Sequence, residues 1–177
     1  MEETPRMKLI GLTGKKRSGK DAVFKILDRP KVARAAFADN LKREIAHITG
    51  FPVWQVEEEK ESLRLLLQAW GADFRRKFFG EDYWIKAMDA DLQNLELEGF
   101  ETAIITDVRY PNEADYIKGQ GGIVVRVVRE TKSTDQHSSE TAMDNYPVDY
   151  TLNNCGTLGD LAVETNRIWE EINGVRR

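Results

Sequence analysis

The stretch Lys8-Leu9-Ile10-Gly11-Leu12-Thr13-Gly14-Lys15-Lys16-Arg17-Ser18-Gly19-Lys20-Asp21-Ala22 decides how the rest of the chain reads. It opens on a short apolar run of the kind that forms a buried strand. Gly14 to Lys20 then fit G-x-x-x-x-G-K, the spacing of a loop that wraps a phosphate. Behind the loop, Ala22, Val23, Phe24, Ile26 and Leu27 read as the start of a helix. Glycines at both ends let the backbone curl and aim N–H groups inward, and the helix N-terminus adds partial positive charge. Gly14, Lys15, Arg17, Ser18, Gly19 and Lys20 are therefore expected to hold donor phosphates. Lys20 reaches the β and γ phosphates and is the first catalytic candidate. The bland alternative is a basic turn between strand and helix. Asp21 stands where the motif usually carries Ser or Thr. Its carboxylate is a good hard ligand for Mg²⁺, and it is equally a first-turn acid favoured by the helix dipole.

Composition bounds the class. The chain has 177 residues, 41% hydrophobic and 32% charged, which suits one soluble domain over 1–177. No apolar run approaches the roughly 20 residues that cross a bilayer. Met1-Glu2-Glu3-Thr4-Pro5 lacks the apolar core of a signal peptide. The single cysteine, Cys155, excludes an internal disulfide framework and a cysteine zinc site, and fits a reducing compartment. A cytoplasmic protein with no membrane partner is expected. A net charge of −4 argues against whole-protein attraction to nucleic acid.

Five strands are expected, over 8–12, 32–37, 102–106, 123–128 and 149–153, with helical segments between them. Alternating β and α segments predict an α/β fold, a five-stranded parallel sheet with helices on both faces. Such sheets bind ligands beyond the carboxyl ends of their strands. Leu63, Leu66, Leu67, Trp70, Phe74 and Phe78 recur at helical spacing, as do Leu158, Leu161, Ala162, Thr165, Ile168, Trp169 and Ile172. Both stripes are expected to be core. Two excursions stand out: a mainly helical insertion over 39–98 and a polar stretch over 129–148, long enough for a lid.

Several further residues carry chemistry. Ile104-Ile105-Thr106-Asp107-Val108-Arg109 delivers an acid at the carboxyl end of an apolar strand, the position of a Walker B acid. Asp107 is expected to hold Mg²⁺ through water and Arg109 to clamp an anionic substrate; turn chemistry is the bland reading of Asp107. Asp39 is either an N-cap or a neighbour of the acceptor nucleotide. Gly71 interrupts an apolar helix, which predicts a close backbone approach. Arg75 and Arg76 follow it with planar forks suited to phosphate, or else form a solvated helical face. Tyr83-Trp84 begins the next helix and is expected to wall the pocket. Arg126 and Arg129 flank the end of the fourth strand and are candidate arginines for the transferred phosphoryl group. His137 and Glu140 are expected to hydrogen-bond within the lid. The Asn153-Asn154-Cys155-Gly156-Thr157 loop is expected at the active edge, with Asn154, Gly156 and Thr157 toward the adenine; Thr157 is otherwise an N-cap.

Gly14 to Asp21, Phe37-Ala38-Asp39-x-Leu41-Lys42, Leu67-Gln68-x-x-Gly71 with Arg75 and Arg76, Tyr83-Trp84, Thr106 to Glu113, Asp135-x-His137-x-Ser139-Glu140 and Asn154-x-Gly156-Thr157-Leu158 occur in order. Together they resemble the bacteriophage deoxynucleoside monophosphate kinases of the P-loop nucleoside monophosphate kinase superfamily. The resemblance spans about residues 7–172. It implies a three-layer α/β/α P-loop fold, a monophosphate-binding insertion and a lid. It also implies phosphoryl transfer from ATP to a deoxynucleoside monophosphate with Mg²⁺ on Asp21 and Asp107. Asp39, Lys42, Trp70, Arg75, Arg76, Trp84, Asp107, Arg109 and Glu140 would meet the acceptor. A phage-type enzyme would work in the host cytoplasm, and a homodimer is allowed. Two departures stand out: Ala22 replaces a Thr of the family pattern, and Gly71-Ala72-Asp73 replaces Gly-Thr-Glu. The alternatives are a kinase for another small acceptor such as dephospho-coenzyme A, and a nucleotide-binding regulatory module without turnover.

Overall fold

The computed structural model describes residues 6–130 and 137–174. Residues 1–5, on which the signal-peptide reading rests, and 131–136, the middle of the lid expectation, lie outside the described residues. Five strands form one sheet in the order β2-β3-β1-β4-β5. They are β1 (Lys8–Thr13), β2 (Val32–Ala35), β3 (Thr102–Ile105), β4 (Ile123–Val128) and β5 (Tyr150–Asn153), and every pairing is parallel. The strand order reverses direction at β1, so a crevice opens beyond its carboxyl end. The phosphate-loop sequence begins there.

Alternation along β1 builds two cores. Leu9 joins Phe37, Trp84, Met88, Ile105, Ala114 and Ile117 on one face. Ile10 and Leu12 join Val23, Leu27, Val125, Leu152, Leu161 and Ile168 on the other. The first face is covered by α2 (Phe37–Thr49), α6 (Tyr83–Leu97) and α7 (Pro111–Gly119). The second is covered by α1 (Lys20–Leu27) and α9 (Leu158–Ile172). This is the three-layer arrangement expected from the alternating elements. Among the described residues, no helix is long and apolar enough to cross a membrane.

Between β2 and β3 the chain runs through α2, α3 (Val53–Glu58), α4 (Arg64–Gln68), a π-helical segment (Ala69–Arg76), α5 (Lys77–Phe79) and α6. The apolar stripe expected to be core divides here. Leu63, Leu67 and Trp70 pack on Ile45, Ala46 and Val56, whereas Leu66, Phe74 and Phe78 are 36%, 39% and 68% exposed. The wider π turn shifts Phe74, and Phe78 beyond it, off the 3.6-residue stripe; Leu66 lies ahead of it in α4. In α9, Leu161, Thr165 and Ile168 are buried as expected, but Leu158 in the first turn is 67% exposed.

The end of the second strand also differs from expectation. Phe37 opens α2 instead of closing β2. The Asp107 carboxylate reaches across from the end of β3 and accepts the N–H groups of Phe37 and Ala38, each at 2.8 Å. A distant acid thus supplies the helix cap that the local residue, Ala36, cannot. Asp39 is accordingly not the N-cap. Lys20 lies within the first turn of α1, and a short helix, α8 (Ser138–Thr141), follows the undescribed 131–136.

Candidate active site

The loop after β1 has the backbone its glycines predict. Gly14 and Gly19 sit at φ 141° and 106°, and Arg17 is left-handed at 64°. A Cβ on Gly19 would come within 2.2 Å of Asn154 Nδ2, and one on Gly14 within 2.3 Å of the Val127 carbonyl. Both positions therefore exclude side chains on conformational and steric grounds. Lys20 Nζ folds back on the carbonyls of Gly14 and Lys15 at 2.7 and 3.0 Å. Burial, reinforced by the nearby Arg109 charge, lowers its pKa to about 8. Ser18 Oγ is buried without a hydrogen-bond partner.

A cleft of about 470 Å³ opens in front of this loop. The core side contributes Lys16, Arg17, Lys20, Asp21, Asp107 and Arg109; the helical insertion contributes Lys42, Arg64, Gly71, Arg76 and Trp84. Gly71 makes the close approach its position predicted: an added Cβ would lie 3.0 Å from Leu41, and the Gly71 carbonyl accepts from Trp84 Nε1 at 2.9 Å.

Glu140, from α8, closes one side. It accepts from Arg109 Nη1 at 2.6 Å and from the Lys16 backbone N–H at 3.1 Å, and pairs with Arg64 at 3.5 Å. Burial would raise its pKa, but the Arg109 charge and these donors outweigh burial and hold it below the usual carboxylate value. His137 caps α8, accepting from the Ser139 N–H. His137 thus bonds within its own stretch, whereas Glu140 bonds out of it, to Arg109 and the Lys16 amide.

The two neighbouring arginines of the insertion part company. Arg76 faces the cleft, its guanidinium 3.9 Å from the Tyr110 ring centroid and bonded to Asn112 Oδ1 at 2.7 Å. Arg75 turns to the other side, donating to Glu44 at 2.7 Å amid the rings of Trp70, Phe79 and Tyr83. Trp70 Nε1 donates to the same Glu44 at 2.7 Å. Neither Arg75 nor Trp70 lines the cleft. Asp39 also lies outside the cleft lining and pairs with Arg34 and Lys42.

Other expected residues act from behind the loop. Asn154 Nδ2 donates to the Ser18 carbonyl at 2.8 Å and braces the phosphate loop. Thr157 caps α9 reciprocally with Asp160, and Gly156 packs against the Asp160 side chain. Lys15 pairs with Asp144 at 2.6 Å. Arg126 donates to the carbonyls of Met143 and Tyr146 at 2.6 and 2.8 Å, and Arg129 is exposed past β4. Neither lines the cleft.

Sequence reasoning gave no site role to Glu113. It is buried in the cleft wall and accepts the N–H groups of Arg109 and Tyr110 at 2.8 and 3.1 Å. It also accepts from Arg76 Nη1 at 3.3 Å. Burial pushes its carboxyl up to about 7, with Asp107 adding to the shift and the N–H donors and Arg76 opposing it. The available signal was its place three residues after Tyr110, where an acid completes a capping box ahead of Pro111.

A five-stranded parallel sheet, a glycine-bounded loop after its central strand and a cleft lined by cations beyond it define an α/β protein with its candidate site at the carboxyl edge of the sheet. The family model for deoxynucleotide monophosphate kinase matches residues 47–165, and the chain belongs to that family. The deoxynucleotide monophosphate kinase of Escherichia phage RB69 is 31% identical over 108 residues, 60% of this chain and 44% of that protein. That of Enterobacteria phage T4 is 32% identical over 105 residues, 59% and 44% of the two chains. The putative deoxynucleotide monophosphate kinase of Acanthamoeba polyphaga mimivirus is 31% identical over 164 residues, 77% of this chain and 82% of that protein. The matches thus span a little under half the length of the two phage relatives. Among solved structures, TT1252 from Thermus thermophilus aligns at a TM-score of 0.48 and 16% identity, covering 94% of this chain and 98% of that one.

Proposed function

We propose that this chain transfers the γ-phosphoryl group of ATP to the phosphate of a deoxynucleoside monophosphate. The observation that carries the reading is the convergence of cations from two sides on one cleft. Lys16, Arg17, Lys20 and Arg109 come from the core, and Arg64 and Arg76 from the insertion. Membership of the family supports the acceptor class. In-line transfer between two phosphates needs positioning and charge neutralisation more than a general base. The loop backbone and Lys20 hold the donor phosphates, Arg76 and Arg109 hold the acceptor phosphate, and Trp84 walls the acceptor side. Glu140 orients Arg109 and the Lys16 amide, and the enclosing insertion keeps competing water out.

The residues present fit a magnesium nucleotide. Asp21 and Asp107 both line the cleft. Among the described residues no group of three acidic, His or Cys side chains forms a cage, but Mg²⁺ takes one or two carboxylates and leaves its remaining positions to water and phosphate. Asp21 and Asp107 would hold the ion, which neutralises phosphate charge when bound. Both Asp107 oxygens already serve α2, so its part is through water.

A coupled ADP-release assay with a panel of deoxynucleoside monophosphates, ribonucleotides and dephospho-coenzyme A tests the reading. Turnover with at least one deoxynucleotide is expected, and Lys20→Ala should lower it at least 100-fold in a folded protein. Turnover on dephospho-coenzyme A alone, or near-normal kcat in Lys20→Ala, overturns it.

A further inference from the structure

We propose that Glu113 is a positioning residue that couples the acceptor-side guanidinium of Arg76, on the insertion, to the turn that carries Arg109 on the core. This rests on the acceptor reading above. The two carboxylate oxygens have separate work. Oε2 takes the backbone N–H groups of Arg109 and Tyr110 and so sets where the Arg109 side chain leaves the turn after β3. Oε1 takes Arg76 Nη1 at 3.3 Å. Arg76 is then fixed on two further sides, by Asn112 Oδ1 at 2.7 Å and by the Tyr110 ring. Asn112 in turn donates to the Glu81 carbonyl and to Asp82, both at 3.0 Å, just before α6. The start of α7 is thus a junction between core and insertion, and Glu113 is its buried charge. A guanidinium has five donors in a fixed fork. With one on Glu113 and one on Asn112, the rest remain for a ligand in the cleft that Arg76 lines.

The groups facing Glu113 are Asp107 and Arg109 from the end of β3, Tyr110 from its own turn and Arg76 from the π-helical segment. Its pKa of about 7 places loss of the carboxylate charge within reach of ordinary assay pH. Protonation removes the charge that holds Arg76, so acceptor binding weakens as pH falls through 7 while donor binding, on the other loop, does not.

The test is steady-state kinetics of wild type and Glu113→Gln from pH 5.5 to 8.5, with acceptor and ATP varied separately. At pH 8 the variant should raise the acceptor KM about tenfold and leave the ATP KM within about twofold. The wild-type acceptor KM should rise below pH 7. The variant should lose that limb and keep only the one near pH 6 that belongs to the acceptor phosphate itself. Arg76→Ala combined with Glu113→Gln should be no worse than Arg76→Ala alone. A wild-type acceptor KM in Glu113→Gln, or equal changes in both KM values, overturns the proposal. Should the variant not fold, or should the wild type lack kinase activity, the slowest-exchanging ¹⁵Nη–¹H NMR signal of Arg76 in the wild type decides. A slowly exchanging signal that is lost below pH 7 supports the proposal, and one that does not respond to pH rejects it.

Discussion

Glu140 Oε2 lies 3.1 Å from the backbone nitrogen of Lys16, although 124 residues separate the two. A carboxylate from α8 thus sits on an amide of the loop after β1, while its other oxygen holds Arg109 at 2.6 Å. Hydrogen bonds to a charged group contribute about 1.5–3 kcal/mol, enough to hold the loop in place between turnovers. Glu140→Ala should therefore speed hydrogen exchange at the Lys16 amide by at least tenfold in the nucleotide-free protein. Exchange as slow as in the wild type would show that the loop needs no such brace.

Arg75 and Arg76, adjacent in sequence, should give different phenotypes. Arg76→Ala is expected to raise KM for the deoxynucleotide tenfold or more and leave KM for ATP near normal. Arg75→Ala should leave both constants within about twofold and lower thermal stability by about 1–2 kcal/mol, because it strips Glu44 and the surrounding rings of a cation. Kinetics and calorimetry on the two variants separate these outcomes; an acceptor defect in Arg75→Ala would reverse the assignment.

The two acids of the cleft should also separate. Asp21→Asn should raise the Mg²⁺ concentration for half-maximal rate without changing stability. Asp107→Asn should raise it too, lower kcat further, and destabilise the fold by about 1–3 kcal/mol, since an amide nitrogen would then face an N–H at the start of α2. Magnesium titrations paired with denaturant melts check both. If Asp21→Asn titrates like the wild type, Asp21 is a helix-start acid and nothing more.

The buried Glu113 carboxyl makes stability depend on pH. Its folded pKa is raised from 4.5 to about 7, so the folded chain holds the proton more tightly than the unfolded one. The contribution is full below 4.5 and is lost as pH rises through 7. Glu113→Gln should flatten the fall in melting temperature between pH 5 and 7.5. An unchanged slope would mean that another group titrates.

The phosphate loop, five strands within a residue or two of their ends, the parallel α/β architecture and the close approach at Gly71 were legible in the sequence, because they rest on local spacing and backbone permissiveness. Thr157 as a cap belongs to the same class. What escaped it depends on residues distant in the chain. A one-dimensional periodicity carries no π turn, so it could not part Arg75 from Arg76 or expose Phe74 and Phe78. Local capping rules look at Ala36 and Asp39, while the cap of α2 comes from Asp107 in the turn after β3. Arg126 reads as an arginine at the active edge until the carbonyls of Met143 and Tyr146 claim it. Glu113 carries no role in the sequence until the fold buries it against Arg76. The sequence by itself determined which elements form and where the glycine-bounded loop lies, since short-range sterics and apolar pattern act within a few residues. The tertiary structure alone decided which charged groups share the cleft, since buried charges are set by partners that only the folded chain brings together.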